Sequence, residues 1–199
     1  MNVHLPKPQL AGTNSLEQSL ARRRSIRNFT GEPLSLAEIS QLLWAAQGIT
    51  SSEGCRTAPS AGALYPLAIH AAAGTVENLA TGVYRYIPEK HELALTIKKD
   101  LRHELTHAAL GQQSIQNSAV SLVITAVYEK TTWKYGERGI RYVHMDAGHA
   151  AQNICLQASA LKLGTVPIGA FDDSEVGRIL QLQKNEIPLY ILPVGRPLT

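Results

Sequence analysis

Cysteine is nearly absent. The 199 residues contain two, Cys55 and Cys155, a hundred positions apart, so neither a disulfide framework nor a Cys-x-x-Cys knuckle is available and a reducing compartment suits the chain. Long hydrophobic runs are missing too. No stretch approaches the roughly 18 apolar residues of a membrane span, and the N-terminal MNVHLPKPQLAGTNSLEQSL lacks the apolar centre of a secretory signal. The expectation is a cytoplasmic protein with no membrane contact. Charge of one sign is scarce: 19 Lys plus Arg against 16 Asp plus Glu leave a net charge of +3, too little for the global field to recruit nucleic acid or lipid. Aromatic residues are 6% of the chain, which argues against the interleaved basic and aromatic surfaces of nucleic-acid binders. Repeats and low-complexity tracts are absent. So are G-x-G-x-x-G after a strand and G-x-x-x-x-G-K-[ST], which excludes a dinucleotide fold and a P-loop.

What is present is an ordinary globular composition, 44% hydrophobic with 15 Gly and 10 Pro, enough for one domain with its own core. Helical and strand-like patterns alternate along the chain, which predicts an α+β fold with a central sheet. Ser15 with Gln18 and Ser35 with Glu38 are capping boxes; the second precedes Leu36, Ile39, Leu42, Leu43 and Ala46 at helical spacing and is followed by Gly48 as a stop. Trp44 and Ile39 read as core. Residues 51–66, rich in small residues, predict an irregular loop or short helix start. Strands are predicted at Leu67 to Ala73, Gly82 to Ile87 and Leu93 to Ile97, the last two joined as a hairpin by Pro88-Glu89-Lys90. A short helix follows over Leu101 to Leu110. Ala119 to Tyr128 is β-branched and almost wholly apolar, as a strand covered on both faces would be. Gly139 to Leu163 predicts one long helix ending at Gly164, its alanines allowing close helix approach. Thr165 to Ala170 reads as a strand, Asp172 to Leu180 as a capped helix and Leu189 to Val194 as a final strand.

Three segments carry chemistry. Arg22 to Phe29, RRRSIRNF, places four arginines and a serine within six positions; guanidinium groups present paired donors to phosphate oxygens and a serine hydroxyl adds another. Such a run also serves as a solvated face or a nucleic-acid patch. Gly195-Arg196, after the last strand, lets backbone come close and brings a cation, or is an exposed terminal turn. The loop APSAGALYP, Ala58 to Pro66, lets main-chain groups approach a flat ligand, or is an ordinary turn.

Taken together, RRSIRNF (Arg23 to Phe29), APSAGALYP, KYGERGIRYVHMDAGHAAQNI (Lys134 to Ile154), LGTVPIGAFDD (Leu163 to Asp173) and LYILPVGRP (Leu189 to Pro197) resemble the nitroreductase-like FMN flavoproteins. The likeness is greatest to the branch that contains the thiazoline and oxazoline dehydrogenases, and it runs in collinear order through nearly the whole chain. It implies a mostly antiparallel central sheet flanked by helices, with the long helix at a dimer interface. It also implies an N-terminal extension and first helix over 1–20 and a single FMN-binding domain over 21–199.

By the same resemblance Arg23 and Ser25, with Arg24 beside them, and Arg196 match the FMN phosphate contacts. Arg27 matches the cation facing flavin N1 and the C2 carbonyl, where negative charge accumulates on reduction. Pro59, Ser60, Ala61 and Gly62 match the loop meeting the ring system. Pro167, Ile168, Gly169 and Ala170 match the strand end whose backbone N–H, near Ile168 or Gly169, points at N5. Lys134 and Tyr135 match a pair that assists proton removal in the azoline-oxidising members; their other reading is a solvated helix start. The implied activity is ping-pong hydride transfer from NAD(P)H, a transient co-substrate, to a nitroaromatic, quinone or related small-molecule acceptor, in a homodimer with FMN at the subunit interface. The alternative is azoline oxidation in a peptide; the non-enzymatic alternative is a basic nucleic-acid-binding protein, for which no recognition motif is present.

Other residues are set aside. His144 and His149 are five apart, about 140° around a helix, and with Asp146 they make a poor zinc site, so no metal is expected. Cys55 beside Arg56 has no histidine partner to make it a nucleophile.

Overall fold

A computed structural model describes residues 2–198. Among them seven strands are present: β1 (Asn2–His4), β2 (Leu67–Ala73), β3 (Gly82–Ile87), β4 (Glu92–Ile97), β5 (Val120–Val127), β6 (Gly164–Thr165) and β7 (Glu186–Gly195). They make one sheet in the order β1-β4-β3-β2-β5-β7-β6 with every pairing antiparallel. The helices are α1 (Leu16–Arg22), α2 (Leu36–Gln47), α3 (Arg102–Ala108), α4 (Ser114–Asn117), α5 (Glu129–Tyr135), α6 (Arg138–Ala160) and α7 (Asp173–Ile179), with a 3-10 turn at Ala61–Ala63. The expected α+β class, an antiparallel sheet flanked by helices, is what the chain adopts.

Both capping boxes form. Ser15 and Ser35 each accept the N–H three residues on, while Gln18 and Glu38 reach back to the cap N–H, satisfying donors that a helix start otherwise leaves orphaned. In α6 the buried positions Val143, Ala147, Ala150, Ile154 and Ala158 follow the helical repeat, and the small ones let α2 lie close against it. This layer covers one face of the sheet. The other face carries a second core, Val83, Leu105, Ile115, Val123, Val176 and Ile191, under α3, α4 and α7. Strand β5 lies between the two cores, with Leu122 and Ile124 in the first and Val123 in the second, which is why its sequence is apolar at both parities.

Several expectations need correction. The long helix stops at Ala160, and the turn after it is made by Lys162 at φ +59°; Gly164 belongs to β6. Thr165 to Ala170 is not a continuous strand: after Thr165 the chain touches β7 again only at Ile168, which bonds to Ile191 in both directions, and Pro167 has no N–H to extend a ladder. Strand β7 begins three residues before the expected Leu189, because Pro188 obscures it. Ile191 bonds toward Ile168, so Pro193, one pleat further, also turns its missing N–H away from β5 and breaks no bond of the central ladder. Trp44 is half-buried on the rim of α2 rather than in the core with Ile39.

One polar cluster crosses the sheet. The Glu186 carboxylate, 4% exposed, accepts from His70 Nε2 at 2.7 Å, Arg85 Nη1 at 3.1 Å and the Thr125 hydroxyl, joining β7 to β2, β3 and β5. Burial pushes this carboxyl up, but the hydrogen bonds from His70 and Thr125 and the charges of His70 and Arg85 outweigh it and bring it down to about 2. The native state therefore prefers the ionised form more than the unfolded chain does. The resulting stability is present above the ordinary value of 4.5 and is lost as pH falls through about 2. Glu186→Ala is expected to destabilise the protein by about 3 kcal/mol at pH 7, because it strands buried donors. In urea unfolding the difference between Glu186→Ala and wild type should shrink as pH drops from 4.5 toward 2; a difference independent of pH would contradict the ion pair.

Candidate functional site

Three of the sequence segments meet around one aromatic ring. A Cβ on Gly195 would sit 2.8 Å from Phe29 Cγ, and one on Gly164 would sit 2.6 Å from Ile26 Cγ2 and 3.2 Å from Phe29 Cε1. Both glycines are therefore required by close approach, not by backbone conformation. Backbone bonds complete the join: Ile26 N–H to Thr165 C=O, Thr30 N–H to Arg196 C=O and Leu198 N–H to Asn28 C=O, each 3.0 Å.

Against this join lies a depression of about 290 Å³, lined by Arg22, Arg23, Arg24, Lys162, Thr165 and Cys155 among others. It gathers four cations with no carboxylate among its lining residues; Thr165 also lines it, its hydroxyl buried behind the surface without a hydrogen-bond partner. The Cys155 thiol is pushed up to about 11 by burial, against the opposing charge of Arg23, so it is a neutral wall and no nucleophile. Arg24 is partly engaged, donating to the carbonyls of Ala21 and Arg23 at 3.0 and 2.8 Å and closing the end of α1. Ser25 and Arg27 are exposed. The Arg196 guanidinium does not line the depression: it pairs with Glu38 at 3.2 Å and reaches Glu32 at 3.7 Å. The carboxylate that closes the α2 capping box thus also holds the arginine expected at the phosphate.

The loop at 59–62 is held from below. Ser60 Oγ donates to Asp146 Oδ2 at 2.6 Å and accepts from the Tyr65 N–H at 3.0 Å. Asp146 is buried on α6, and burial raises its pKa against the Ser60 and Ala61 hydrogen bonds and the nearby His149. Gly62 has φ +63°, and a Cβ there would lie 2.7 Å from Tyr135 Oη and 3.0 Å from Lys134 Nζ. The loop and the Lys134-Tyr135 pair, 72 positions apart in sequence between Gly62 and Lys134, are therefore neighbours. Lys134 Nζ lies 5.4 Å from the Tyr135 ring centre and Tyr135 packs edge-on against Tyr142. Lys134 is exposed in the single chain, as is Pro59.

At Pro167, Ile168, Gly169 and Ala170 the accounting of donors is decisive. The Ile168 N–H is used by Ile191 C=O at 2.8 Å and the Ala170 carbonyl accepts from Gln112 at 3.2 Å. Gly169 is exposed and its N–H has no partner among the described residues. Of the two N–H groups expected to face a flavin, only that of Gly169 is free to do so.

Sequence reading missed the Ser60–Asp146 bond and the Thr165 hydroxyl, since both depend on tertiary neighbours. Of the histidine group set aside, His144 bonds to Tyr128 Oη at 2.6 Å, Asp146 is buried on Ser60 and His149 is exposed, so the three do not converge. Cys55 is exposed, with Arg56 turned to Gln47 and Glu89.

Comparison with known proteins identifies the family. The Nitroreductase family model matches residues 20–196. A Methanocaldococcus jannaschii protein that bears the nitroreductase name is 48% identical over 181 residues, covering 91% of this chain and 90% of its own. The Bacillus subtilis FMN reductase [NAD(P)H] is 27% identical over 199 residues, covering 92% of this chain and 66% of its own. A chain of the Escherichia coli microcin synthetase McbBCD complex, solved with truncated pro-MccB17 bound, superposes with a TM-score of 0.79 at 26% identity, covering 98% of this chain and 78% of that one. With the family match running through almost all of the sequence, the chain belongs to the nitroreductase family of flavoprotein oxidoreductases.

Proposed function

We propose that the protein binds FMN and transfers a hydride from NAD(P)H to a small acceptor such as a nitroaromatic or a quinone. The observation that carries the cofactor is the four-cation depression with its unpartnered Thr165 hydroxyl: it suits one terminal phosphate, and no glycine-rich turn is available for the diphosphate of FAD. Arg22, Arg23, Lys162 and Thr165 would hold that phosphate, with Ser25 adding its hydroxyl from the same segment. Arg196 contributes less than its place in the family pattern implies, because contact with phosphate competes with Glu38 and Glu32. Pro59, Ser60, Ala61 and Gly62 would form one edge of the ring site, the Gly169 N–H would donate to its central nitrogen, and Arg27 would place a cation where charge develops. The flavin, when bound, supplies a reversible two-electron acceptor at N5.

A homodimer with the cofactor between subunits is part of this reading. Trp133, beside the Lys134-Tyr135 pair, is 73% exposed and Met145 50%; on α1, Leu16 and Leu20 lie exposed on one face. These apolar groups are suited to cover by a second copy. Two free thiols, one exposed, fit work in the reducing cytoplasm, and no helix among the described residues is long and apolar enough to cross a membrane.

A second reading rests on a separate observation, the closeness of Lys134 Nζ and Tyr135 Oη to Gly62. Azoline oxidation removes a carbon-bound proton and needs a protein base, whereas nicotinamide oxidation needs none. The pair stands beside the loop proposed to meet the flavin ring, and the likeness to a microcin synthetase chain points the same way.

Two measurements test these readings. Cofactor released from the denatured protein should have the mass of FMN, and Arg23→Ala should weaken its binding by about 1.5 to 3 kcal/mol, the worth of a charge-assisted hydrogen bond; Arg196→Ala should weaken it less. Recovery of FAD, or unchanged affinity in Arg23→Ala, contradicts the phosphate site. In rapid-mixing experiments, Lys134→Ala and Tyr135→Phe should slow flavin reduction by NAD(P)H less than about tenfold, or about 1.4 kcal/mol. A wild-type protein inert to NAD(P)H but reduced by a thiazoline peptide, with both variants inactive, would establish the second reading instead.

A further inference from the structure

Helix α3, on the sheet face opposite α6, carries a feature that flavin chemistry does not use. His103 and His107 are four residues apart, so one helical turn sets both on the same side. Both are exposed, with Nε2 atoms 3.1 Å apart and ring centres 4.5 Å apart. Two imidazole nitrogens each about 2.0–2.1 Å from a shared ion, at an angle between octahedral and tetrahedral, are about 2.9–3.4 Å from one another. The observed spacing falls inside that window without any movement of the helix.

The surroundings orient the pair. His103 Nδ1 lies 3.1 Å from Gln116 Oε1 on α4. A carbonyl oxygen can only accept, so it holds the proton on Nδ1 and leaves the Nε2 lone pair of His103 facing its neighbour. With no ion bound, the His107 Nε2–H fills that gap. Glu104 is turned away to Lys99 at 2.6 Å, so although His103 to His107 spells H-E-x-x-H, its glutamate is not poised over the histidines. Among the described residues no group of three or more His, Cys, Asp and Glu side chains is placed to hold a metal. The protease zinc arrangement is therefore absent, and a two-nitrogen chelate is what the helix offers.

We propose that His103 and His107 bind a late first-row divalent ion, Cu²⁺, Ni²⁺ or Zn²⁺, with water filling the remaining positions. Neutral imidazole suits these ions, and Mg²⁺, which requires oxygen donors, is excluded. Binding requires the His107 proton to move from Nε2 to Nδ1, so that both neutral rings turn an Nε2 lone pair to the ion, and it ties the ends of one helical turn. Helix α3 has only seven residues, and its cap residue Leu101 offers no side-chain acceptor, leaving the Asp100 carboxylate on the Arg102 N–H as the side-chain bond at its start; it therefore gains from such a tie, and an ion that binds only the folded helix raises the stability of the protein.

The test uses the tag-free, flavin-loaded protein after chelator treatment, titrated with Cu²⁺, Ni²⁺, Zn²⁺ and Mg²⁺ by calorimetry and thermal melting. Expected are one equivalent at micromolar affinity, tightest for Cu²⁺, and a raised Tm, with no response to Mg²⁺. His103→Asn and His107→Asn should each weaken binding at least tenfold and abolish the Tm rise, while His144→Asn retains both. In the unmutated protein, substoichiometric Ni²⁺ should broaden the ring signals of His103 and His107 before those of the other five of the seven histidines. Binding indifferent to both substitutions, no Tm rise with any of the three ions, or broadening that begins at another histidine overturns the proposal.

Discussion

The seating of Phe29 against Gly164 and Gly195 is the contact on which the site depends. Neither glycine tolerates a side chain, because the space of its Cβ is filled by the Phe29 ring or by Ile26. That contact, with three backbone bonds beside it, makes a single wall from segments that begin near residues 22, 164 and 195. The arginines of the first segment then face Lys162 and Thr165 of the second across one depression. Without the close approach the charges would be dispersed on separate strands and loops, and a basic run would be only a solvated face.

The wall also separates cations that look equivalent in sequence. Arg22 and Arg23 open onto the depression, where no carboxylate lines the surface. Arg196 leaves the last strand on the side of α2, where Glu38 is already fixed by its own capping box. A residue selected to start a helix therefore decides where an arginine 158 positions away directs its charge. No pattern of spacing carries that information.

What was legible in the sequence is what local physics determines. Ser15 with Gln18 and Ser35 with Glu38 marked helix starts because their bonds lie within one turn, and β3 was readable because its β-branched and aromatic residues favour a strand locally. Gly164 looked like a helix stop and is a packing site, and only the position of Ile26, with Phe29 beyond it, distinguishes the two. Thr165 to Ala170 looked extended, yet its pairing is decided by what β7 presents beside it. The sulfur, carboxylate and hydroxyl that shape the site, Cys155, Asp146 and Thr165, are ordinary residues in sequence and acquire meaning only through burial. The histidines of α3 were hidden for a different reason: an interval of four is visible, but read for its apolar stripe the helix shows only Leu105 facing inward.

The two faces of the sheet are joined at the segment that the flavin reading uses most. Asp172 N–H donates to Ala108 C=O at 2.9 Å, and the Ala170 carbonyl accepts from Gln112, so the stretch after Ile168 is anchored to the C-terminal end of α3 and the turn beyond it. Ala108 follows His107 directly. The Gly169 N–H is therefore aimed by two sets of bonds, those of Ile168 to β7 on one side and those of Ala170 and Asp172 to the α3 region on the other. A donor aimed from both sides keeps its direction only while both anchors hold. The stability of α3, a helix of seven residues on the far face, is thus part of the geometry of a site that it does not line.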